Sequence, residues 1–529
     1  MKATYIPRQQ TNSFTEQQLL LSENQDKLVE FIGLPFSKEA FPKQIQIKSE
    51  NYNQENRILL HKVLKSKYDS LGNNSKSLEN IEKLLDNNCY TVTAGHQLCL
   101  FTGPIYFVYK ILHIIKQCEE LNKIYPQNKF VPVYWMASED HDFDEIKSIS
   151  LFGKTLSWDS NQSGAVGRMN LSGIPEVLDG FKQFFSNNPT NELEKLIEEF
   201  NGNTYGEAFF RFVHSMFAVY GLLIIDGDER EFKQAFAPLI KNEIHTSFSF
   251  EAVNRVNLRL EERKFKIQVN PREVNLFYLS DNKRERIIPN AKKFIVGEKE
   301  LSEKEIIDLI DSEPEAFSPN VILRPLYQEF LLPNLCYVGG VGELSYWLQL
   351  KGVFELNQIA YPLIQPRTSA LWIDSVISQK MEKLNLKIHD LFNSITQLKK
   401  HVLLSNELVN LDFGLVDFQF NQFKADFSAK AIGIDSSIKS RVGAEFAKIE
   451  KQIENLKDQL EKSVKSKHEK SLIGVEQIKN KLFPNNELQE RNVNFFQFCS
   501  DGNYSKKLRE IIKNIEVFNS DFLILENEN

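Results

Sequence analysis

Short apolar runs that end abruptly in polar residues recur along the first part of this chain, and a regular four-three spacing replaces them later. The stretch up to residue 88 is polar and helical in pattern, with Leu59, Leu60, Val63 and Leu64 on one face. Cys89-Tyr90-Thr91-Val92-Thr93 is then β-prone, a glycine follows, and Ile105 to Leu121 is apolar at helical spacing, so strand, tight turn and helix are predicted. Further buried strands are predicted at Phe130 to Met136, Gly221 to Asp226, Asn334 to Val338 and Ile359 to Ile364. Helical patterns separate them, which predicts an α/β core on a parallel sheet.

Two segments interrupt that alternation. Trp158 to Asn203 is rich in Gly, Ser and Asn, and Phe265 to Lys293 alternates as a small antiparallel hairpin does. Beyond Arg367, Ile377, Met381, Leu384, Ile388, Leu391, Ile395, Leu398 and Val402 keep an unbroken four-three spacing. Val442, Phe446, Ile449, Ile453, Leu456 and Leu460 repeat it. Two narrow stripes of this length predict two long helices in an antiparallel coiled coil, or half of one completed by another subunit. Leu482-Phe483-Pro484-Asn485 breaks the helix, and Phe495, Phe496 and Phe498 bring the chain back to the core. The expected division is 1–88, a helical segment on the core; 89–370, the core, with insertions near 155–205 and 262–295; 371–480, the coiled-coil arm; and 481–529, the returning segment.

Composition narrows the function classes. With 42% hydrophobic residues in 529 the chain is globular, and a net charge of -7 gives no general attraction to nucleic acid or anionic membrane. No apolar run approaches the roughly 20 residues that span a bilayer. Five scattered cysteines without a CxxC pair suit free thiols in a reducing compartment, so a cytoplasmic protein without a structural zinc is expected.

Three motifs at strand ends can carry chemistry. Thr93-Ala94-Gly95-His96-Gln97 ends the first strand, where open parallel sheets bind ligands. Gly95 allows close backbone approach and His96 a hydrogen bond to phosphate or an oxyanion, while a helix starting near Thr102-Gly103-Pro104 would aim N–H groups at an anion. A glycine turn with a structural histidine is the plain alternative. Ser138-Glu139-Asp140-His141-Asp142 follows the second strand. Carboxylates beside an imidazole orient it, raise its pKa or bind a divalent ion, whereas an acidic helix start capped by Ser138 or Asp140 would leave the histidine unexplained. Gly339-Gly340-Val341-Gly342-Glu343 follows the fourth strand and reads as another anion-binding turn, although it is neither a P-loop nor GxGxxG. Arg324 and Arg367 could each clamp a carboxylate or phosphate. Of Tyr346 and Trp347 at least one is expected in the core, and Gln489-Glu490-Arg491 reads as a solvated turn.

The strings Thr93 to Gln97 with Phe101-Thr102-Gly103-Pro104, Trp135 to Asp142, Leu323-Arg324-Pro325, and Tyr337-Val338-Gly339-Gly340 to Trp347 resemble the BshC family, the cysteine ligases of bacillithiol biosynthesis. Leu482 to Asn485 and Gln489-Glu490-Arg491 match as well. The resemblance spans essentially the whole chain. It implies a Rossmann-like core with connecting insertions, a long coiled-coil arm and a homodimer formed through it. It also implies a reaction that joins the carboxylate of cysteine to the amine of glucosaminyl-malate. Thr93-x-Gly95-His96 is similar, too, to the phosphate-binding signature of nucleotidylyltransferases and class I synthetases. No Lys-Met-Ser-Lys-Ser loop follows the last core strand, where Arg367-Thr368-Ser369 stands, so the activating cosubstrate is open between ATP with Mg and another. No site for a resident metal is expected. In this reading His96 stabilises developing charge, His141 oriented by Asp140 or Asp142 takes the amine proton, and Arg324 or Arg367 holds a malate carboxylate. The binding shell comprises Thr93, Gly95, Gln97, Thr102, Gly103, Ser138 and Glu139, together with Gly339, Gly340, Gly342 and Glu343. The competing classes are a non-catalytic coiled-coil protein that binds a nucleotide or metabolite, and a nucleotidylyltransferase with another substrate.

Overall fold

The apolar runs assemble one sheet. The computed structural model describes residues 1–72, 74–186, 190–405 and 413–527. In it β1 (Cys89–His96), β2 (Lys129–Met136), β3 (Leu223–Asp226), β4 (Asn334–Gly339) and β5 (Leu363–Pro366) lie in the order β5-β4-β1-β2-β3. Every neighbouring pair is parallel. The chain runs outward from β1 in one direction to β3, then returns to the other side for β4 and β5. The order therefore reverses between β1 and β4, and a crevice opens beyond the carboxyl ends of those two strands. This is a Rossmann-like α/β core. The fifth strand forms later than its pattern suggests, at Leu363–Pro366, and β1 continues through Gly95 to His96.

Helix α1 (Tyr106–Ile124) packs against β1 and β2 and is buried on all sides from Phe107 to Ile115, which is why that half of its sequence is mostly apolar. The expected hairpin forms from Leu276–Ser280 and Lys283–Arg286. Away from the main sheet, Lys2–Ile6 pairs antiparallel with Phe522–Glu526, and Ala370–Ile373 runs parallel to that strand.

The long coiled coil is present, but the first expected seam does not build it. Residues 375–405 divide into the helices Ser375–Lys383 and Ile395–Ser405, with a short 3-10 turn over Ile388–Phe392 between them. Asn385, at φ 53°, takes the chain out of the first helix. Ile377, Met381, Leu398 and Val402 pack with Val475, Ile478 and Leu482 in a second, smaller core. The four-three spacing therefore marks burial of one face, not a continuous helix. The arm is instead α4 (Gly414–Ile434) against α5 (Lys439–Lys467), and only α5 carries an expected seam. Phe420, Phe423 and Phe427 gather round Phe446, and Lys424 pairs with Glu450 at 2.6 Å.

Candidate functional site

A cavity of about 400 Å³ occupies the crevice at the order reversal. Gly95, His96 and Gln97 from the end of β1, Glu139 and Asp140 beyond β2, and Tyr337 from β4 line it. The helix α2 (Leu323–Leu331) supplies Arg324, and α3 (Val341–Trp347) supplies Glu343 and Tyr346. Lys110 reaches in from α1 and Arg284 from the hairpin.

Gly95 is required here by close approach. A Cβ at this position would lie 2.8 Å from the Tyr337 hydroxyl and 3.4 Å from Arg324 Nη1. With no side chain in the way, those groups crowd against β1. Lys110 Nζ donates to the Gly95 carbonyl at 2.8 Å and to Glu343 Oε2 at 2.7 Å, so one ammonium ties β1 to the start of α3 across the crevice. Burial lowers its pKa against the pull of Glu343. Burial works against the Glu343 charge as well, but Lys110 and the Tyr337 hydroxyl hold that carboxyl below its usual range.

Burial, reinforced by the Lys110 and Arg367 charges, drives the pKa of His96 well below 6.5. The cavity therefore holds a neutral imidazole, able to donate from one ring nitrogen and accept at the other. Its Nε2 is 3.8 Å from Cys99 Sγ, but burial pushes that thiol up to about 12, so no thiolate nucleophile stands there.

Beyond β2, Gln97 Nε2 donates to Asp140 Oδ2 at 2.7 Å and to Glu145 Oε2 at 2.8 Å. Burial opposes ionisation of Asp140, but Gln97, the Arg284 charge and the N–H groups of His141 and Asp142 hold its pKa low. Burial raises Glu139 despite Lys233 at 2.7 Å. Arg284 lies over the Phe277 ring, 4.1 Å from its centroid, and Nη2 donates to Ser318 Oγ and the Pro319 carbonyl, each at 3.2 Å. Its Nη1 is 3.1 Å from His141 Nδ1, and Asp140 Oδ1 is 3.5 Å from that same nitrogen. His141 thus sits on the rim, about half exposed, joined to the cavity through Arg284 and Asp140.

Several expected site residues lie elsewhere. Thr93 is buried inside the sheet, where Oγ1 donates to Asn334 Oδ1 at 2.9 Å. Ser138 Oγ donates to Asp226, away from the cavity lining. Asp142 caps the short Phe143–Ile146 helix by accepting the Glu145 N–H at 3.2 Å, so it does not orient His141. Arg367 is a second correction: Glu490 takes both of its terminal nitrogens at 3.0 and 2.9 Å, and Arg367 does not line the cavity. Gln489 and Glu490 of the expected solvated turn are correspondingly buried, Gln489 clasping the Trp372 backbone at 2.9 and 3.0 Å, while Arg491 is exposed.

Neither expected phosphate turn fits a phosphate. At α3 the Glu343 carboxylate itself accepts the Gly340 N–H at 3.2 Å, placing a negative charge where an anion would bind. Gly339, Gly340 and Gly342 do not line the cavity. At the other turn Phe101, Thr102 and Gly103 all have positive φ, 43°, 70° and 61°. Asn494 Nδ2 clamps the Phe101 and Gly103 carbonyls at 2.9 and 2.6 Å, and the Val493 carbonyl takes the Ile105 N–H at 2.7 Å. The returning segment covers this helix start, and Thr102 and Gly103 are absent from the lining. Among the described residues no group of three or more His, Cys, Asp and Glu side chains is arranged to hold a metal ion.

Sequence reasoning missed Lys110 and Arg284. Lys110 did leave a signal, as the one charged residue in Ile105 to Ile115. Arg284 left none, because Lys283-Arg284-Glu285-Arg286 reads as an ordinary solvated hairpin. Trp347 is core, stacked on Tyr337 at 4.3 Å, while Tyr346 lines the cavity.

Comparison with known proteins adds a family. The model described as "Bacillithiol biosynthesis BshC, N-terminal Rossmann-like domain" matches residues 1–368, and "Bacillithiol biosynthesis BshC, C-terminal coiled-coil domain" matches 370–527. A relative from Flavobacterium johnsoniae is 40% identical, covering 87% of this chain and 88% of its own. One from Christiangramia forsetii is 35% identical over 99% of both chains, and one from Bacillus anthracis is 30% identical over 78% of this chain and 80% of its own. All three carry the name "Putative cysteine ligase BshC". No helix among the described residues is long and apolar enough to cross a membrane.

Proposed function

Because the chain belongs to the BshC family of bacillithiol biosynthesis, we propose that it is an amide-forming ligase joining cysteine to glucosaminyl-malate in the crevice between β1 and β4. The observation that carries this reading is the cavity itself. Three cations (Lys110, Arg284 and Arg324), three carboxylates and a neutral histidine converge at the topological switch point, in a volume suited to small metabolites.

In the reaction the sugar amine attacks the activated carbonyl carbon of cysteine. The C–N bond forms, the bond from that carbon to its leaving group breaks, and the amine gives up a proton. His96, neutral beside Lys110, donates a hydrogen bond to the oxygen that gains charge. His141, with Asp140 Oδ1 3.5 Å from its Nδ1, takes the amine proton, Arg284 yielding its place on that nitrogen when the imidazole acts. Arg324 holds a malate carboxylate. Activation of the carboxylate by ATP with Mg remains part of the proposal, but no step is assigned through it, because neither helix start suits a phosphate.

The arm supports a homodimer reading. Leu415, Phe418 and Ile434 are 69%, 66% and 80% exposed, an apolar surface that a second copy would cover.

The test is incubation with cysteine and glucosaminyl-malate, with and without ATP-Mg, followed by mass spectrometry for bacillithiol. Product that appears with wild type and vanishes with His96→Ala and with His141→Ala supports the ligase. Tight ligand binding without turnover, unchanged when both histidines are replaced, favours a binding module instead.

A further inference from the structure

Arg324 enters the cavity from the first turn of α2, where its backbone N–H donates to the Asn320 carbonyl at 2.8 Å. A guanidinium carries donors only, so something must accept from it to fix its direction. Gln328 Oε1, one helical turn along, accepts from Nη1 at 3.0 Å. An amide can turn either its oxygen or its NH₂ outward, and only the oxygen can accept from Arg324.

Its orientation is set from behind. Gln328 Nε2 donates to Glu329 Oε1 at 2.9 Å. That carboxylate also receives Asn334 Nδ2 at 2.6 Å and, on its other oxygen, Lys48 Nζ at 3.2 Å. With Asn334 on the same oxygen and Lys48 on the other, the carboxylate accepts throughout, so Gln328 offers it the NH₂ end and turns its oxygen to Arg324. Lys48 comes from the Phe41–Asn51 helix, outside the sheet altogether. Gln328, Glu329, Asn334 and Lys48 are each 1% exposed or less. A buried Lys–Glu pair seldom improves on apolar residues of the same volume as a source of stability. Placed directly behind a cavity arginine, this one has another use.

We infer that Gln328 and Glu329, with Lys48 as counter-ion, are positioning residues that hold the Arg324 guanidinium in its binding direction. The inference rests on the proposed role of Arg324 toward a substrate carboxylate. Tyr337 completes the seat on the other side, its ring centroid 5.6 Å from the guanidinium carbon.

A double-mutant cycle tests it. Gln328→Met raises KM for glucosaminyl-malate roughly 10-fold, the worth of one hydrogen bond to a charged group, with kcat and KM for cysteine within about twofold. Arg324→Gln raises the same KM at least as far, and the double variant is no worse than Arg324→Gln alone. Effects that multiply in the double variant, or that fall equally on KM for cysteine, overturn the inference. Should Gln328→Met misfold, the isosteric Glu329→Gln takes its place in the cycle with the same expected pattern.

A wild type that makes no bacillithiol sinks the ligase reading alone. Crystal structures of wild type and of Gln328→Met, or of Glu329→Gln in its place, still decide the positioning question in that case. A guanidinium that leaves its wild-type place or loses order in the variant sustains it, and one that stays put with Nη1 unmoved refutes it.

Discussion

At the sheet end, Lys110, Glu343, Arg324 and Gln97 each have defined partners, and the side chains behind them are buried and partnered in turn. On the arm, Phe418, Phe423 and Phe427 stand 66%, 56% and 51% exposed, and no side chain of α4 is buried. The same chain thus spends its polar groups inside one region and its apolar groups outside the other. Order at the cavity comes from within one subunit, through contacts spanning hundreds of residues. The two helices of the arm hold each other through a few rings and ion pairs and leave apolar surface for something else to cover.

The comparison can be broken first at a charge pair buried behind the sheet end. Glu490→Leu leaves the Arg367 guanidinium inside the core without a partner, and should lower stability by about 3–5 kcal/mol, read from urea denaturation. A loss below about 1 kcal/mol would mean that this pair is not needed to seat the returning segment. Next, His96→Ala should reduce the ligation kcat roughly 10²–10³-fold, the range for losing one preorganised donor, with the denaturation midpoint little moved. On the arm, the triple variant Leu415→Ser, Phe418→Ser, Ile434→Ser should turn a dimer into a monomer by light scattering while the main melting transition keeps its temperature. A wild type that is already monomeric at micromolar concentration would refute the dimer reading.

A smaller effect comes from pH. Burial keeps His96 well below 6.5 and His113 at about 4, whereas in the unfolded chain both regain values near 6.5. The unfolded state then binds more protons than the folded state as pH falls from about 6.5 toward 4, so stability is full above that window and declines through it. His113→Gln should flatten part of the decline when denaturation midpoints at pH 7.5 and 5 are compared. The least change is expected from Lys424→Ala, which opens one solvent-facing pair on the arm and should leave the midpoint where it was.

The five strands were legible because a strand buried on both faces must be an apolar run, whatever its neighbours are. Their order was not, since it depends on which helix crosses to which side. Gly95, His96, Gln97, Glu139, Asp140, Arg324 and Glu343 were legible as chemistry at strand ends, and they do meet in one cavity. The expectation that a glycine turn must bind an anion failed at Gly340, because Glu343, three residues on, folds back onto the same N–H. Arg367 failed for a related reason, its partner Glu490 lying 123 residues away. Spacing along a chain cannot show that a donor is already taken by something distant. The arm was half legible: the stripe on α5 was read, whereas the three-four spacing of Phe420, Phe423 and Phe427 on α4, which packs on Phe446, was passed over.

The left-handed run Phe101-Thr102-Gly103, pinned by Asn494 across a separation of 391 residues, also has a meaning in time. Such a backbone does not persist by itself for Phe and Thr, and its clamp is translated long after it. At ribosomal speeds of about 5–20 residues per second, about 20–80 s pass between the synthesis of this turn and that of Asn494. During that interval β1 and α1 can pair, but the joint connecting them just past His96 has no template. The turn between β1 and α1 is therefore among the last parts of the molecule to set, and a nascent chain stalled before Asn494 would carry its sheet with this joint unfixed.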